Sequence, residues 1–288
     1  MEMPLGARIG TLTLMGAVEW RADRPDFGGF SGLMIEPDGT LIALTDKAHW
    51  AKARIVLTPE GALRGIEGLE VGRLKGPEGT DLMDPFTDSE ALSREANGSF
   101  LISFENRHRI GRFTTLRTPE ERFASFPGFD EMPLNGGLES LLALPDGRIV
   151  AVAEETPDWA AGFPGWILAD GEIVRFALVR KDWFVPTDLA LGPQGRWIYL
   201  LERRFTLIGG FGTRISRFPV AALREGARIE AMHLAELTRH PLKENFEGIS
   251  ASQDARGRVV LYIISDDNFT LLQRTLLLQL LVENGKDG

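Results

Sequence analysis

Cysteine is absent from all 288 residues, which removes disulfides, thiolate nucleophiles and cysteine-built zinc sites at once. Histidine is scarce: His49, His108, His233 and His240 form no HxH or HExxH spacing, so a histidine zinc centre is disfavoured. Long apolar runs are missing too. The longest, Leu276 to Val282, falls far short of the roughly 20 residues that cross a bilayer. Positive charge is in deficit, and a net charge of -9 argues against a nucleic-acid partner, because phosphate binding needs a positive field. Cations or neutral ligands fit better. No basic-then-apolar leader stands at Met1, so the expectation is either a cytoplasmic protein or one whose export signal has been removed.

Several catalytic signatures are missing as well. There is no G-x-S-x-G elbow around a serine, no phosphate-cradling P-loop, and no G-x-G-x-x-G opening a helix. Helical periodicity is thin; "TPEERFASF" and "PVAALREG" are the two short candidates.

What is present is a repeat. "FSGLMIEPDGTLIALTD", "SEALSREANGSFLISFE", "LESLLALPDGRIVAVAE", "TDLALGPQGRWIYLLE" and "ENFEGISASQDARGRVVLYIISDD" share one template. A polar or acidic residue precedes a small-apolar step, a glycine turn follows, and an alternating strand ends on a carboxylate. Ser31 to Asp46, Glu90 to Glu105, Glu139 to Glu154 and Thr187 to Glu202 are each 15 residues apart. Glu247 to Asp266 is 19, which a longer turn in "SQDARGRVV" would explain. Period-2 alternation around D-G and Q-G steps reads as β-hairpins.

Successive copies are 59, 49, 48 and 60 residues apart, and each step holds a second strand pair such as "GWILADGEIVRFALV". Two hairpins make a four-stranded unit, and units of that length arranged around a channel make a β-propeller. The expected fold is therefore all-β: a single propeller domain over residues 1–288 with five blades, or six if a long step hides a degenerate unit. The N-terminal "RIGTLTLMGAVEW" is expected to complete the blade of "QRTLLLQLLVE", closing the ring.

In an antiparallel hairpin the start of one strand lies beside the end of the next. Ser31, Asp46, Glu90, Glu105, Glu139, Glu154, Thr187, Glu202, Glu247 and Asp266 are thus expected at one mouth of the channel. So many acids need positive charge nearby. One source is arginine: Arg54, Arg109, Arg214 and Arg274 open later strands and can pair with the acids, a purely structural reading. The other is a hard cation such as Ca²⁺, with Glu90, Glu139, Glu247, Asp266, Asn135, Asn245 and Asn268 as its oxygen ligands. Glu105, Glu154 or His108 would then activate water. Arg109, Arg274, Ser31 and Asp46 are the candidate substrate contacts. The glycine-rich "LIGGFGTR" reads as a loop or a gate, and Trp159, Phe163 and Trp166 as inter-blade packing or an aromatic lip.

The hairpin motifs, together with "NGGLESLLALPDGRIVAVAEE" and "NFEGIS", resemble the mainly proteobacterial, generally exported phytase-like propellers described as "esterase-like activity of phytase". That resemblance implies a periplasmic or envelope location and a phosphoesterase or esterase activity. Calcium-dependent phytases surround phosphate with lysine and calcium ions; Lys47, Arg107, Arg109, Arg203 and Arg274 are the nearby phosphate partners it implies here. A non-catalytic propeller that binds a ligand or an envelope partner is the alternative, since one fold hosts many functions.

Overall fold

The computed structural model describes residues 5–124, 132–133, 136–155, 162–270 and 273–283. It is an all-β propeller of five antiparallel sheets. Blade one comprises Phe30–Ile35, Thr40–Thr45, His49–Leu57 and Leu63–Arg73, and blade two Ser89–Arg94, Phe100–Phe104, Arg109–Phe113 and Glu121–Ala124. Blade three is Ser140–Ala143, Ile149–Val152, Phe163–Ala169 and Glu172–Leu178; blade four is Val185–Leu191, Trp197–Thr206, Gly210–Pro219 and Met232–Leu237. Blade five takes Asn245–Gln253, Val259–Asp266 and Leu276–Val282 from the C-terminal end and Leu12–Glu19 from the N-terminal end, with Arg8–Ile9 outside it. Leu12 pairs with Val282 and Glu19 with Leu276, so the two ends of the chain close the ring through one sheet.

The first strand of each blade is innermost, and these five strands contact one another in a closed circle. Side chains and backbone stitch them together. Ile35 N–H donates to Ser250 Oγ at 2.9 Å, Ala143 N–H to Ser93 Oγ at 2.8 Å, and Ile249 N–H to Asp188 Oδ2 at 2.8 Å. Burial pushes the Asp188 carboxyl well above its ordinary range, opposed by the N–H groups of Ile249 and Leu189.

Why the sequence reads as repeated strands follows from where the apolar faces go. Five separate apolar clusters fill the five interfaces between neighbouring blades, for example Leu33, Ala43, Tyr262 and Leu277 between blades one and five. A middle strand such as Val259–Asp266 is buried along its whole length because both of its faces meet a neighbouring blade. Fully burying one such side chain contributes about 1.5–3 kcal/mol, so the ring is held by many interfaces of similar strength.

Both expected short helices differ in the structure. Glu121–Ala124 of "TPEERFASF" is the outer strand of blade two, with Glu121 opposite Arg112, because an unpaired sheet edge outweighs weak helical propensity. "PVAALREG" keeps only a 3₁₀ turn at Val220–Ala222. Beyond that turn, Arg228–Ile229 leaves blade four to add a parallel strand to blade three, then the chain returns to Met232. Among the described residues no helix is long and apolar enough to cross a membrane.

Candidate functional site

The acidic repeat positions owe their direction to β-bulges. In blade one Phe30 pairs with Thr45 and Gly32 with Leu44, leaving Ser31 as the extra residue. The register shifts at the same point between Ser89 and Leu92, Pro186 and Asp188, and Phe246 and Gly248. Glu90, Thr187 and Glu247 therefore lie in bulges as Ser31 does, and Glu139 directly precedes its strand. A bulge breaks the alternation of the strand and re-aims a side chain, here toward the mouth of the channel.

The second strand supplies the other half of each pair. Asp46, Glu105 and Glu154 donate their backbone N–H groups to the carbonyls of Gly29, Asp88 and Gly137, and Asp266 lies opposite Asn245. In blade four that place belongs to Arg203, opposite Val185. The expected placement of Glu202 at the mouth is thus corrected. The turn in four blades closes over four residues, as from Glu36 to Thr40, but in blade four it runs from Gly192 to Trp197. One additional residue moves the 15-residue step onto the opposite face of the strand. Blade five also corrects an expectation: its turn is the ordinary Asp254 to Arg258, and its greater spacing comes from longer strands.

Eight carboxylates consequently face one another: Asp46, Asp88, Glu90, Glu105, Glu139, Glu154, Glu247 and Asp266. For Asp46, Asp88, Glu90, Glu139, Glu154 and Asp266 burial is the first cause that pushes the carboxyl up, and repulsion from the neighbouring acids adds to it. Glu90 and Glu139 stand well above the ordinary range, repelled most by Glu105 and Glu90 respectively. Burial raises Asp266 to about 8, with Glu247 adding to it, and Asp46 to about 6. Glu154 and Asp88 are raised in the same direction by burial.

Little positive charge answers this. Arg203 lies between two blades' acids, with Nη2 3.0 Å from Glu154 Oε1 and Nη1 3.1 Å from Glu247 Oε1. Burial works against its charge, but Glu247, Glu154 and Glu139 together hold the guanidinium protonated above its usual range. Lys47 stands at the rim, where it lowers Asp46 and lies 3.4 Å above the Phe269 ring.

Arg109 and Arg274 are placed elsewhere. Arg109 donates to both oxygens of Glu120, at 2.8 and 3.2 Å, and stacks 3.7 Å over Phe104. Arg274 is held by Glu244 and by the Pro241 carbonyl. Arg214 pairs with Asp182 and Glu236, and Arg54 lies near the exposed Asp38. These guanidiniums are held by acids outside the mouth, so they neither neutralise the mouth nor present a free fork to a substrate there.

The remaining candidates fall into three groups. Glu105 Oε1 accepts the N–H groups of Gly136, at 2.8 Å, and Gly137 from the next blade. A side chain at Gly137 would begin 2.9 Å from His108 Nδ1 and 3.0 Å from Glu105 Cγ, so glycine lets His108 and Glu105 stand side by side. His108 Nε2 lies 2.9 Å from the Pro133 carbonyl, which can only accept, so that nitrogen carries the proton. Asn245 donates to Glu247 at 2.7 Å and is itself buried; Ser31 donates to the Ser89 carbonyl at 2.8 Å. Asn268 donates its backbone N–H to Asp266. Asn135 and Trp159 lie outside the described residues. Phe163 and Trp166 are buried in the cores beside blade three, and "LIGGFGTR" is a hairpin turn and the start of a strand.

Two participants escape the repeat template. Asp88 lies two residues before Glu90, and the bulge brings both to the mouth, where Asp88, Glu90 and Glu105 hold oxygens within 4.8 Å of one another. Arg203 is hidden by the additional turn residue. The "DSE" doublet and the turn length "GPQGRW" against "EPDGT" are the signals that carry them.

A five-bladed propeller with a ring of carboxylates about one end of its channel is the class that fold and site define. Within it, the chain belongs to the phytase-like family described as esterase-like activity of phytase, which matches residues 25–269. No curated protein matches the chain. Solved structures similar to it include virginiamycin B lyase from Staphylococcus aureus, at 11% identity over 92% of this chain and 98% of that one, TM-score 0.46. A gluconolactonase from Xanthomonas campestris matches at 13% identity over 93% and 89%, TM-score 0.45. Regucalcin, a calcium-binding protein from Agrobacterium tumefaciens, matches at 15% over 87% and 72%, TM-score 0.46.

Proposed function

We propose that this protein is a Ca²⁺-dependent hydrolase of phosphate esters or related esters, with its site at the acidic mouth, acting in the periplasm or envelope. One observation carries the reading. Eight facing carboxylates are answered, among the described residues, by one central guanidinium and a lysine at the rim. Such a cluster has unmet charge that a cation would neutralise.

The donor set fits a hard cation. Every candidate ligand is an oxygen, as Ca²⁺ prefers. Asp46 Oδ1 and Asn245 Oδ1 are buried without a hydrogen-bond partner, the condition of atoms that complete a shell when an ion is present. Asp88, Glu90 and Glu105 would hold one side, with Glu139, Glu247, Asp266 and Asn245 reaching from the other blades. A bound cation supplies Lewis-acid polarisation of an ester oxygen.

The chain's own residues do the rest. Arg203, fixed on two sides by Glu154 and Glu247, presents a guanidinium oriented before substrate arrives, suited to negative charge growing on a phosphate or acyl oxygen. Glu154 is the candidate base that takes a proton from water, because burial raises it above its ordinary range, which makes it a better proton acceptor, while it remains next to Arg203. Glu105 is held by two backbone N–H groups and so positions rather than moves. His108 stands beside it.

The test is turnover of p-nitrophenyl phosphate, p-nitrophenyl acetate and a lactone, with Ca²⁺ and with EDTA. The reading expects EDTA-sensitive hydrolysis of at least one, lowered about 10²–10⁴-fold by Glu154→Gln. No turnover of any of them with Ca²⁺ bound contradicts it and leaves the binding-only alternative, which the internal ion pair of Glu154 favours.

A further inference from the structure

The residue turned away from the mouth has a cavity of its own. Glu202 faces a cleft of about 250 Å³ between blades three and four, walled by Phe163, Leu200 and Ile229. Ile229 and Ala231 come from the excursion that adds a strand to blade three, so the cleft is formed by a covalent strap between two blades. At about 30 Å³ per water, the volume holds roughly eight non-hydrogen groups.

Its chemistry is that of a small binding site: apolar walls with a few convergent polar groups. Glu202 and Ser216 are buried, and Ser216 Oγ donates to Glu202 Oε2 at 2.9 Å. Ser216 is the hydrogen-bond partner of that carboxylate among the described residues. The charges around it sum to an excess of acid. Glu202, Glu236 and Asp182 stand against Arg214 and Lys181; His233 also lines the cleft, 3.8 Å from Glu236, and Lys181 is drawn off by Glu230 at 2.7 Å. Arg214 is itself held between Asp182 and Glu236 and stacks 4.0 Å over Phe184. Burial pushes Glu202 up to about 7, against the opposing pull of Ser216 and Arg214, so its charge awaits a partner near neutral pH.

From this geometry we infer that the cleft between blades three and four binds a small primary amine with an apolar body. The ammonium lies on Glu202 beside Ser216, and the body lies on Phe163, Leu200 and Ile229. The site is separate from the mouth and does not depend on the activity proposed there. A neutral molecule of the same shape leaves the buried carboxylate without its counter-charge and binds less well.

Benzylamine and benzyl alcohol have the same number of non-hydrogen atoms and differ in charge. Titration of each into the full chain at pH 8, followed by the methyl NMR signals of Leu200 and Ile229, reads the site. Benzylamine is expected to shift these signals saturably, with benzyl alcohol at least tenfold weaker. Glu202→Gln, which keeps an acceptor for Ser216, is expected to weaken benzylamine at least tenfold, and Ala231→Phe to fill the cleft and abolish the shifts. Glu139→Gln at the mouth is expected to bind as the parent does. Equal affinity in Glu202→Gln and the parent, loss in Glu139→Gln instead, or no saturable shift in the parent would each overturn the inference.

Discussion

Arg203 Nη2 lies 3.0 Å from Glu154 Oε1 across the boundary between blades four and three. Glu247 of blade five meets the same guanidinium, so one cation ties three blades at the acidic mouth. Its removal has two opposed consequences. Arg203→Ala is expected to destabilise the cation-free protein by about 3 kcal/mol, since it leaves buried carboxylates unpaired. Added CaCl₂ should then restore more stability to the variant than it adds to the parent. Urea denaturation with and without CaCl₂ measures both; equal calcium effects in the two proteins would detach Arg203 from the cation site.

Arg109 gives the control. Its bidentate pair with the buried Glu120 lies outside the mouth. Arg109→Ala should cost about 3–5 kcal/mol in denaturation while leaving calcium affinity within twofold of the parent. A tenfold loss of calcium affinity would place Arg109 in the site after all.

Neutralising one mouth acid should stabilise the empty protein and weaken its binding. Glu90→Gln removes a charge that Glu105, Asp88, Glu247 and Asp46 all repel. In EDTA its melting temperature is expected to rise, by the few degrees that about 1 kcal/mol gives in a chain of this size. Calcium affinity by calorimetry should fall at least tenfold. A lower melting temperature in EDTA would show that Glu90 is held by favourable contacts instead.

The pH dependence has a definite sign. Asp266 at about 8 and Asp46 at about 6 are raised above the ordinary carboxylate value, so the folded state binds more protons than the unfolded one between pH 4 and 8. Stability from these groups is present below about pH 4 and is lost as pH rises through their folded values. Without a cation, the protein should therefore be less stable at pH 8.5 than at pH 5.5. Calcium replaces the protons and should flatten that slope. Chemical denaturation across this range in EDTA and in CaCl₂ checks it; a stability that rises with pH in EDTA contradicts the picture of uncompensated acids.

How much of this was legible in the sequence depends on what sets each feature. The blades were, because a 15-residue acid-to-acid interval and a D-G turn are local properties of one hairpin. Glu90, Glu105, Glu139, Glu154, Glu247, Asp46 and Asp266 come together because the ring repeats that hairpin. Glu202 and Arg203 exchange faces because one residue added at Gly192–Trp197 shifts everything after it, and strand parity is unforgiving of one residue. Asp88 was missed because its counterparts opposite the second-strand mouth residues of the other blades are Gly29, Gly137, Val185 and Asn245, so no repeated acid marks the position. The partners of Arg109 and Arg274 are loop acids, Glu120 just before the fourth strand of blade two and Glu244 just before the first strand of blade five, whose positions no hairpin template contains.

The central claim is that the ring of carboxylates is a cation site. Thermal unfolding of the parent and of Glu90→Gln in EDTA and in millimolar CaCl₂ tests it most directly, because a ligand bound only by the folded state stabilises it by about 2.7 kcal/mol at a hundredfold excess over its dissociation constant. The account predicts a calcium-dependent rise of several degrees in the parent that is reduced in Glu90→Gln. Identical melting temperatures in EDTA and CaCl₂ for both proteins would contradict it.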